Sequence, residues 1–436
     1  MKKNKMKKYN NYKPSGVEWS GEIPEHWEVK KFKHIFSEKK KTTNVDLPCG
    51  SISFGKVVYK DDEKIPESTK RSYQVLSNGD FLINPLNLNY DLISLRIALS
   101  DKDVVVSSGY IILNNNLKLN KNYYKWLLHI FDVVYMKTLG SGVRQTLSFT
   151  HIANCELVIP PLEEQTTIAH FLDNKTTKID QAIAIKQKQI ELLKERRQIL
   201  IHKAVTRGLN ENVKLKDSGV EWIGEIPEHW EVKKLKFIGN IFPGLNGKKG
   251  VNFSKEYQNE MKPFIPFTNI FRNDIIKNVE YQFVKINPFE FQNKVKCNDL
   301  LFLMSSETLE DIGKSSIYLG NENEIYLNSF CKGFRIFEKS VYSLFVNYLL
   351  KSNIYRNYFS LVGRGFTRIN IKQEFINDLY VLIPTFEEQK QIVEFIETAT
   401  TKIATAISLK EQEIEKLKEY KMSLIDGVVT GKVKVC

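Results

Sequence analysis

The chain has 436 residues, 42% apolar and 26% charged, with a formal net charge of +13. That length leaves room for two or three domains with their own cores, and the composition excludes a disordered or fibrous chain. No apolar run is long enough to span a bilayer, and five scattered cysteines (Cys49, Cys155, Cys297, Cys331, Cys436) in no C-x-x-C arrangement argue against a disulfide framework or zinc site and for a reducing cytosol.

Residues 1–14 are a basic tail with no apolar stretch after it, so it is no secretory signal. It reads as solvated chain, with a phosphate contact as the alternative. The overall excess of cations suits a polyanionic partner, because lysines and arginines that neutralise phosphates release condensed counterions.

Residues 15–33, SGVEWSGEIPEHWEVKKFK, return almost unchanged as residues 218–236, SGVEWIGEIPEHWEVKKLK. Only Ser20/Ile223 and Phe32/Leu235 differ. A second echo joins residues 159–208 to residues 383–432. Between the echoes lie two inserts, about 34–158 and 237–382, that are far less alike. The chain is one unit used twice, and a fixed frame carrying two different inserts suits a protein that reads two different things at a set distance.

The inserts are rich in β-branched and aromatic runs broken by Asn, Gly and Asp. Residues 56–59, 81–83, 104–106, 110–113, 300–303 and 334–337 read as short strands, and 122–137 and 341–359 as amphipathic helices. Each insert is therefore expected to be α+β, a small curved sheet with a helix against it. Weak correspondences persist between them. Asn78-Gly79-Asp80-Phe81 resembles Cys297-Asn298-Asp299-Leu300, and Gly140, Gly142 and Arg144 resemble Gly363, Gly365 and Arg368. A Gly-x-Gly turn lets backbone pass close to a partner, and the arginine after it can serve a phosphate or a guanine edge; a tight turn with a surface arginine is the other reading.

Each insert leads into a long helix, 161–207 and 384–430. Pro160-Pro161 and Pro384 precede the starts, and Glu163-Glu164 and Glu387-Glu388 meet the positive end of the helix dipole. Thr385 and Glu388 also have capping-box spacing. Ile179, Ile183, Ile190, Leu193 and Leu200, with Ile403, Ile407, Ile414, Leu417 and Leu424, form two a/d seams. Lys186 and Arg197, and again Lys410 and Lys421, interrupt them at matching places. A homo-oligomeric coiled coil would satisfy either stripe, but both halves of an interface occur in this one chain, which favours an intramolecular pair.

Catalytic motifs are missing from the sequence. There is no N-P-P-[YF] or D-P-P-[YF], no G-x-S-x-G and no H-E-x-x-H, and the glycine-rich GLNGKKG at 244–250 lacks the G-K-[ST] ending of a P-loop. That stretch is expected to be a flexible basic loop. His26 and His229 recur only because the whole box recurs.

The box SGVEW-x-GEIPEHWEVKK, the helix starts IPPLEEQ and IPTFEEQ, the segment GSGVRQTLSFTHI and the doubled layout resemble the specificity subunit of type I restriction–modification systems. The resemblance implies two target-recognition domains (15–160 and 218–383, each including its box), a linker at 208–217, a tail at 431–436, and two antiparallel coiled-coil helices in a pseudo-two-fold arrangement. It implies that each domain reads one half of a split, double-stranded DNA target while the helices act as a ruler for the unread spacer. It further implies a non-catalytic cytoplasmic chain that binds no cofactor and no membrane. S-adenosylmethionine, ATP and magnesium belong in that picture to two methyltransferase (M) subunits and the restriction (R) subunits. The DNA-facing candidates are Arg71, Arg96, Arg144, Lys248, Lys249, Arg272, Arg364 and Arg368. The competing reading is a coiled-coil protein-interaction scaffold without sequence-specific DNA binding.

Overall fold

The computed structural model describes residues 7–87, 95–136, 139, 145–277 and 280–435. The chain divides into two compact units, Met1–Lys186 with Glu411–Cys436, and Gln187–Lys410. Among the described residues no helix is long and apolar enough to cross a membrane.

In the first unit the largest sheet has four antiparallel strands in the order Ile97–Leu99, Phe81–Ile83, Ile111–Asn115, Phe36–Glu38. These short β-branched and aromatic runs fit a pleated surface buried on both faces, with Leu82, Ala98 and Ile112 in a smaller core and Phe81, Ile83, Ile111 and Leu113 on the face of the larger one. The helix Lys121–Ile130 covers that face, and its Tyr124, Leu127 and Leu128 share a core with Phe36 and Phe81. Asn120 starts the helix by accepting the Tyr123 N–H at 3.1 Å. The helical run expected over 122–137 is α-helical only to Ile130 and continues as a wider π turn, Phe131–Tyr135, which carries Asp132 into the core against Arg96.

The second unit has a five-stranded sheet, Gly239–Pro243, Cys331–Ile336, Leu300–Leu303, Ser315–Tyr318, Ile275–Ile276. A four-stranded sheet accompanies it, Phe253–Ser254, Gln282–Lys285, Met261–Ile265, Tyr326–Leu327. The single helix expected over 341–359 is two, Ser343–Leu350 and Asn353–Val362. Ser352 separates them: its backbone is extended, and its hydroxyl donates to the Leu349 carbonyl at 2.8 Å. The correspondence at Asp80 and Asp299 is structural. Asp80 accepts from Ser77 N and Lys39 Nζ, while Asp299 accepts from Lys296 N and both prongs of Arg335. In both units a carboxylate thus closes the turn before a central strand and is paired by a cation from a neighbouring segment.

The repeated box has a mechanical role. In the first unit Glu28–Lys31 pairs antiparallel with Glu156–Ile159, which runs into the long helix Leu162–Arg207. In the second, Glu231–Lys234 pairs the same way with Tyr380–Ile383, which runs into Phe386–Val429. The box then clasps the first turn of that helix. Trp27 Nε1 donates to Glu164 at 3.1 Å, and His26 Nε2 and the Tyr9 hydroxyl reach the same carboxylate at 2.5 and 2.9 Å. The tail expected to be solvated is thus packed from the buried Tyr9 onward, with Tyr12–Pro14 pairing with Glu22–Pro24. Trp230 Nε1 and His229 Nε2 hold Glu388 at 3.1 and 2.8 Å. Burial raises the Glu164 pKa, but hydrogen bonds from His26, Trp27 and Tyr9 outweigh it and leave the carboxyl below its usual value. The capping-box spacing of Thr385 and Glu388 is only half used: Thr385 Oγ1 accepts the Glu388 N–H at 3.3 Å, while the Glu388 side chain is taken by the box. Gln165 and Gln389 complete the starts by donating to the carbonyls of Pro160 and Pro384, each at 2.9 Å.

Each unit also contains the far end of the other long helix. Val428 and Val429 lie in one core with Trp27, and the Tyr123 hydroxyl donates to the Val429 carbonyl at 3.1 Å. In the second unit Ile201, Ala204 and Val205 lie in one core with Ile226 and Trp230. The helices run antiparallel, since Asp180 meets Lys421, Lys186 meets Glu413 and Gln189 meets Lys410, at 2.7, 2.5 and 2.7 Å. Ile179, Ile190, Ile403, Ile414 and Leu424 are buried, and Ile183, Leu193, Leu200, Ile407 and Leu417 half-buried. Three of the four cations that interrupt the seams thus find polar partners on the opposite helix. Arg197 does not: the position matching Asp180 is Ala404, and Arg197 turns instead to Asp274 of the insert at 3.5 Å.

Candidate nucleic-acid interface

The second unit carries an open cleft of about 700 Å³ whose wall includes Arg272, Arg368, Phe271, Phe330, Ser305 and Glu307. Four segments distant in sequence build it. The helix Phe267–Arg272 supplies Phe267 and Phe271, whose rings stack at 6.2 Å, and ends on Arg272. The strand Ser305–Ser306 pairs antiparallel with Ile369–Asn370, and a bridge between Arg364 and Asn370 closes the intervening residues into a hairpin. Arg368 leaves that hairpin with its guanidinium 5.1 Å from the centre of the Phe330 ring. The ring face attracts the cation and restrains its position, leaving the donor fork free.

Gly365 makes the hairpin possible. Its φ is +143°, and a Cβ there would stand 1.9 Å from the Arg368 carbonyl oxygen, so no other residue fits. Gly363 has an ordinary φ of −63° and is required by packing instead, since a Cβ would meet the Ile369 side chain at 2.9 Å. Just after Gly365 the tip presents Phe366 fully to solvent. Chemically, the cleft offers two arginine forks, aromatic faces and small hydroxyls, a set suited to base edges and phosphates. Glu307 adds an acceptor that suits an amino-bearing base edge and repels phosphate.

Of the arginines and lysines singled out in the sequence, Arg272 and Arg368 come together here. Arg364 is exposed but folds back, donating to the carbonyls of Leu361 and Gly363 at 2.5 and 2.8 Å, where it caps the helix Asn353–Val362. Arg71 lies on the surface paired with Glu67 at 2.8 Å, and Lys249 is exposed. Two candidates are corrected. Arg96 is only 5% exposed and is ion-paired with Asp132 at 3.1 Å, because a guanidinium in a core needs a carboxylate beside it. Lys248 is likewise committed, its ammonium held by Glu290, whose carboxyl that hydrogen bond, with help from Gln292, lowers to about 2. The loop 244–250 is therefore not loose: Asn246 and Gln292 exchange two hydrogen bonds at 3.0 and 2.9 Å, tying it to a segment distant in sequence.

Gly140, Gly142 and Arg144 lie outside the described residues. The neighbouring pairing of Gln145–Thr146 with Leu86–Asn87 has the same form as that of Ile369–Asn370 with Ser305–Ser306. Phe271, Phe330 and Ser305 were not legible as cleft residues, since only the folding together of distant segments brings them to Arg368. Phe366 stood within the recognised motif and could have been named.

A family model of the type I restriction modification DNA specificity domain matches residues 24–195 and again 227–419. The MjaVIII type I restriction enzyme specificity subunit of Methanocaldococcus jannaschii is 24% identical, covering 95% of this chain and 94% of its own. A putative MjaX specificity subunit of the same organism is 25% identical over 98% of each. The EcoKI specificity subunit of Escherichia coli is 28% identical over 48% of this chain and 44% of its own. In fold the chain is similar to a structure of a type I R-M system described for its complex assembly and conformational transition (TM-score 0.70, 12% identity, 93% and 98% covered). It is also similar to the HsdS subunit of Thermoanaerobacter tengcongensis (TM-score 0.54, 14% identity, 94% and 98% covered). Matched once over each half and along most of its length, this chain belongs to the family of type I restriction–modification specificity subunits.

Proposed function

We propose that the chain is the non-catalytic DNA-recognition subunit of its system, reading a bipartite, asymmetric target with two unlike domains. It directs adenine methyltransferase subunits, and restriction subunits where present, to that target. S-adenosylmethionine, ATP and magnesium act on those partners in the cytoplasm. The observation that carries this reading is the doubled clasp of box and helix, kept almost residue for residue while the two inserts diverge. A frame under one structural demand and inserts under two different ones suit two separate half-sequences. Ile185, Leu192 and Ile199, spaced seven apart on the first long helix and all exposed, support a partner seat there. Mapping methylated adenines across a genome with and without this chain tests the reading. Two fixed half-sequences at constant spacing are expected only when the chain is present, and an unchanged map would refute it. Salt decides between DNA reader and protein scaffold, since phosphate contacts make affinity fall steeply with ionic strength.

A further inference from the structure

We infer that the second unit holds a phosphate-binding pocket beside the Arg368 cleft, and that it anchors a backbone phosphate of the DNA strand facing that cleft. This rests on the DNA-reading role proposed above. The pocket has a volume of about 400 Å³. Its charged wall is Arg197 from the first long helix, Arg272, Asp274, Lys314, and Lys351 with Arg356 from the junction of the two short helices. Five of these six side chains are cations.

Their compensation is incomplete. Asp274 serves two of them, Lys351 at 2.7 Å and Arg197 at 3.5 Å. Lys314 is matched by Asp311 at 2.6 Å. Arg356 donates to the carbonyls of Glu310 and Ile312 at 2.8 and 2.6 Å, which orient its guanidinium without neutralising it. Arg272 has no ion-pair partner among the described residues. Three buried polar atoms of wall residues, Arg197 Nε, Ser315 Oγ and Lys351 Nζ, also lack well-directed hydrogen-bond partners there, Lys351 keeping only its ion pair with Asp274. Burial pushes the Arg356 pKa down to about 10 and the Lys351 pKa down to about 8, so the fold holds these charges against a desolvation cost.

An oxyanion relieves that imbalance, and forked guanidinium donors arriving from two different elements suit the several oxygens of a phosphate. The DNA backbone is the occupant because the pocket and the cleft share Phe271 and Arg272. A strand with a base against Arg368 therefore has its backbone at this pocket. Arg197 is available for it because Ala404 replaces the carboxylate that would otherwise hold it.

The test uses the full-length chain and its Arg197→Gln, Arg272→Gln and double variants, with duplex DNA titrated over a range of salt. Each single variant is expected to lower the slope of log affinity against log salt by about 0.9, the share of one phosphate, with selection from random duplexes returning the wild-type sequence. Inorganic phosphate against chloride at equal ionic strength should raise the melting temperature of the wild type and not of the double variant. An unchanged slope overturns the inference, and if phosphate still stabilises the wild type the pocket takes a free anion, not DNA. A changed half-sequence overturns it in favour of base reading, and loss of a protein partner with the slope intact assigns the cluster to that contact. Wild-type binding that ignores salt instead removes the DNA-reading function and this inference with it, while the phosphate melts show separately whether the pocket takes an anion. Should Arg197→Gln fold poorly, the exposed Arg272→Gln carries the test alone.

Discussion

A side chain that reads a base edge must be held still, and Arg368 is held twice. Phe330 restrains its guanidinium, and the strand Ile369–Asn370 fixes its backbone against Ser305–Ser306. Arg368→Ala is expected to relax one position of a single half-sequence, losing about 1–3 kcal/mol of discrimination, or roughly 5- to 150-fold, by competition binding with single-base variants. Gly365→Ala should produce the same relaxation with its arginine intact, because the new Cβ collides with the Arg368 carbonyl. Equal losses on unrelated DNA would reassign Arg368 to phosphate binding. Lys351 permits a pH test. Its folded pKa of about 8 lies below the ordinary 10.5, with burial the main cause, partly offset by Asp274 and reinforced by Arg197 and Arg356. Between those values the unfolded chain binds the proton and the folded chain does not, so this group's contribution to stability rises with pH across the window. Lys351→Met removes a cost on the order of 3 kcal/mol at neutral pH. The variant should melt higher than the wild type at pH 7, with the gap closing towards pH 10. A gap independent of pH would contradict the assignment.

At the scale of elements, one residue type does the same work twice. Each box indole spans from a strand pair to the first turn of a long helix, so Trp27→Phe and Trp230→Phe remove one hydrogen bond to a carboxylate while keeping the buried ring. Each is expected to cost about 1.5–3 kcal/mol in chemical denaturation. The double variant should approximate their sum, because the two clasps lie in separate cores and share no partner. Strong non-additivity would mean the clasps are coupled. Repetition made these elements legible: the boxes, the acidic helix starts and the a/d stripe stood out because each is local in sequence and occurs twice. The clasp itself was not legible, since Glu164 and Glu388 read as helix-start carboxylates until His26, Trp27, His229 and Trp230 reached them across the fold. The same limit applied in the inserts. Short strands followed from β-branched runs, but burial of Arg96 and Lys248 depended on Asp132 and Glu290, which no periodicity links to them. The break at Ser352 lay inside a stretch with good helical spacing.

For the whole molecule, the long helices are useful as a ruler only if changing their length moves one reading surface relative to the other. Removing residues 183–189 and 410–416 together deletes one heptad from each helix at places that face one another, since Lys186 meets Glu413 and Gln189 meets Lys410. Seven residues are nearly two full turns, so the seam re-forms within about 20° of register and the apolar stripe stays closed. The rods shorten by about 10 Å, close to three base pairs of duplex. Three base pairs also carry the major groove about a third of a turn round the DNA axis. The shortened chain must therefore twist or bend its target to engage both halves, at a cost of a few kcal/mol. The expected result is two unchanged half-sequences, a preferred spacer about three base pairs shorter, and weaker binding overall, measured by selection from duplexes with randomised spacer length. A preferred spacer that does not move would show that something other than the helix pair sets it. Altered half-sequences would show that the helices shape the reading surfaces themselves.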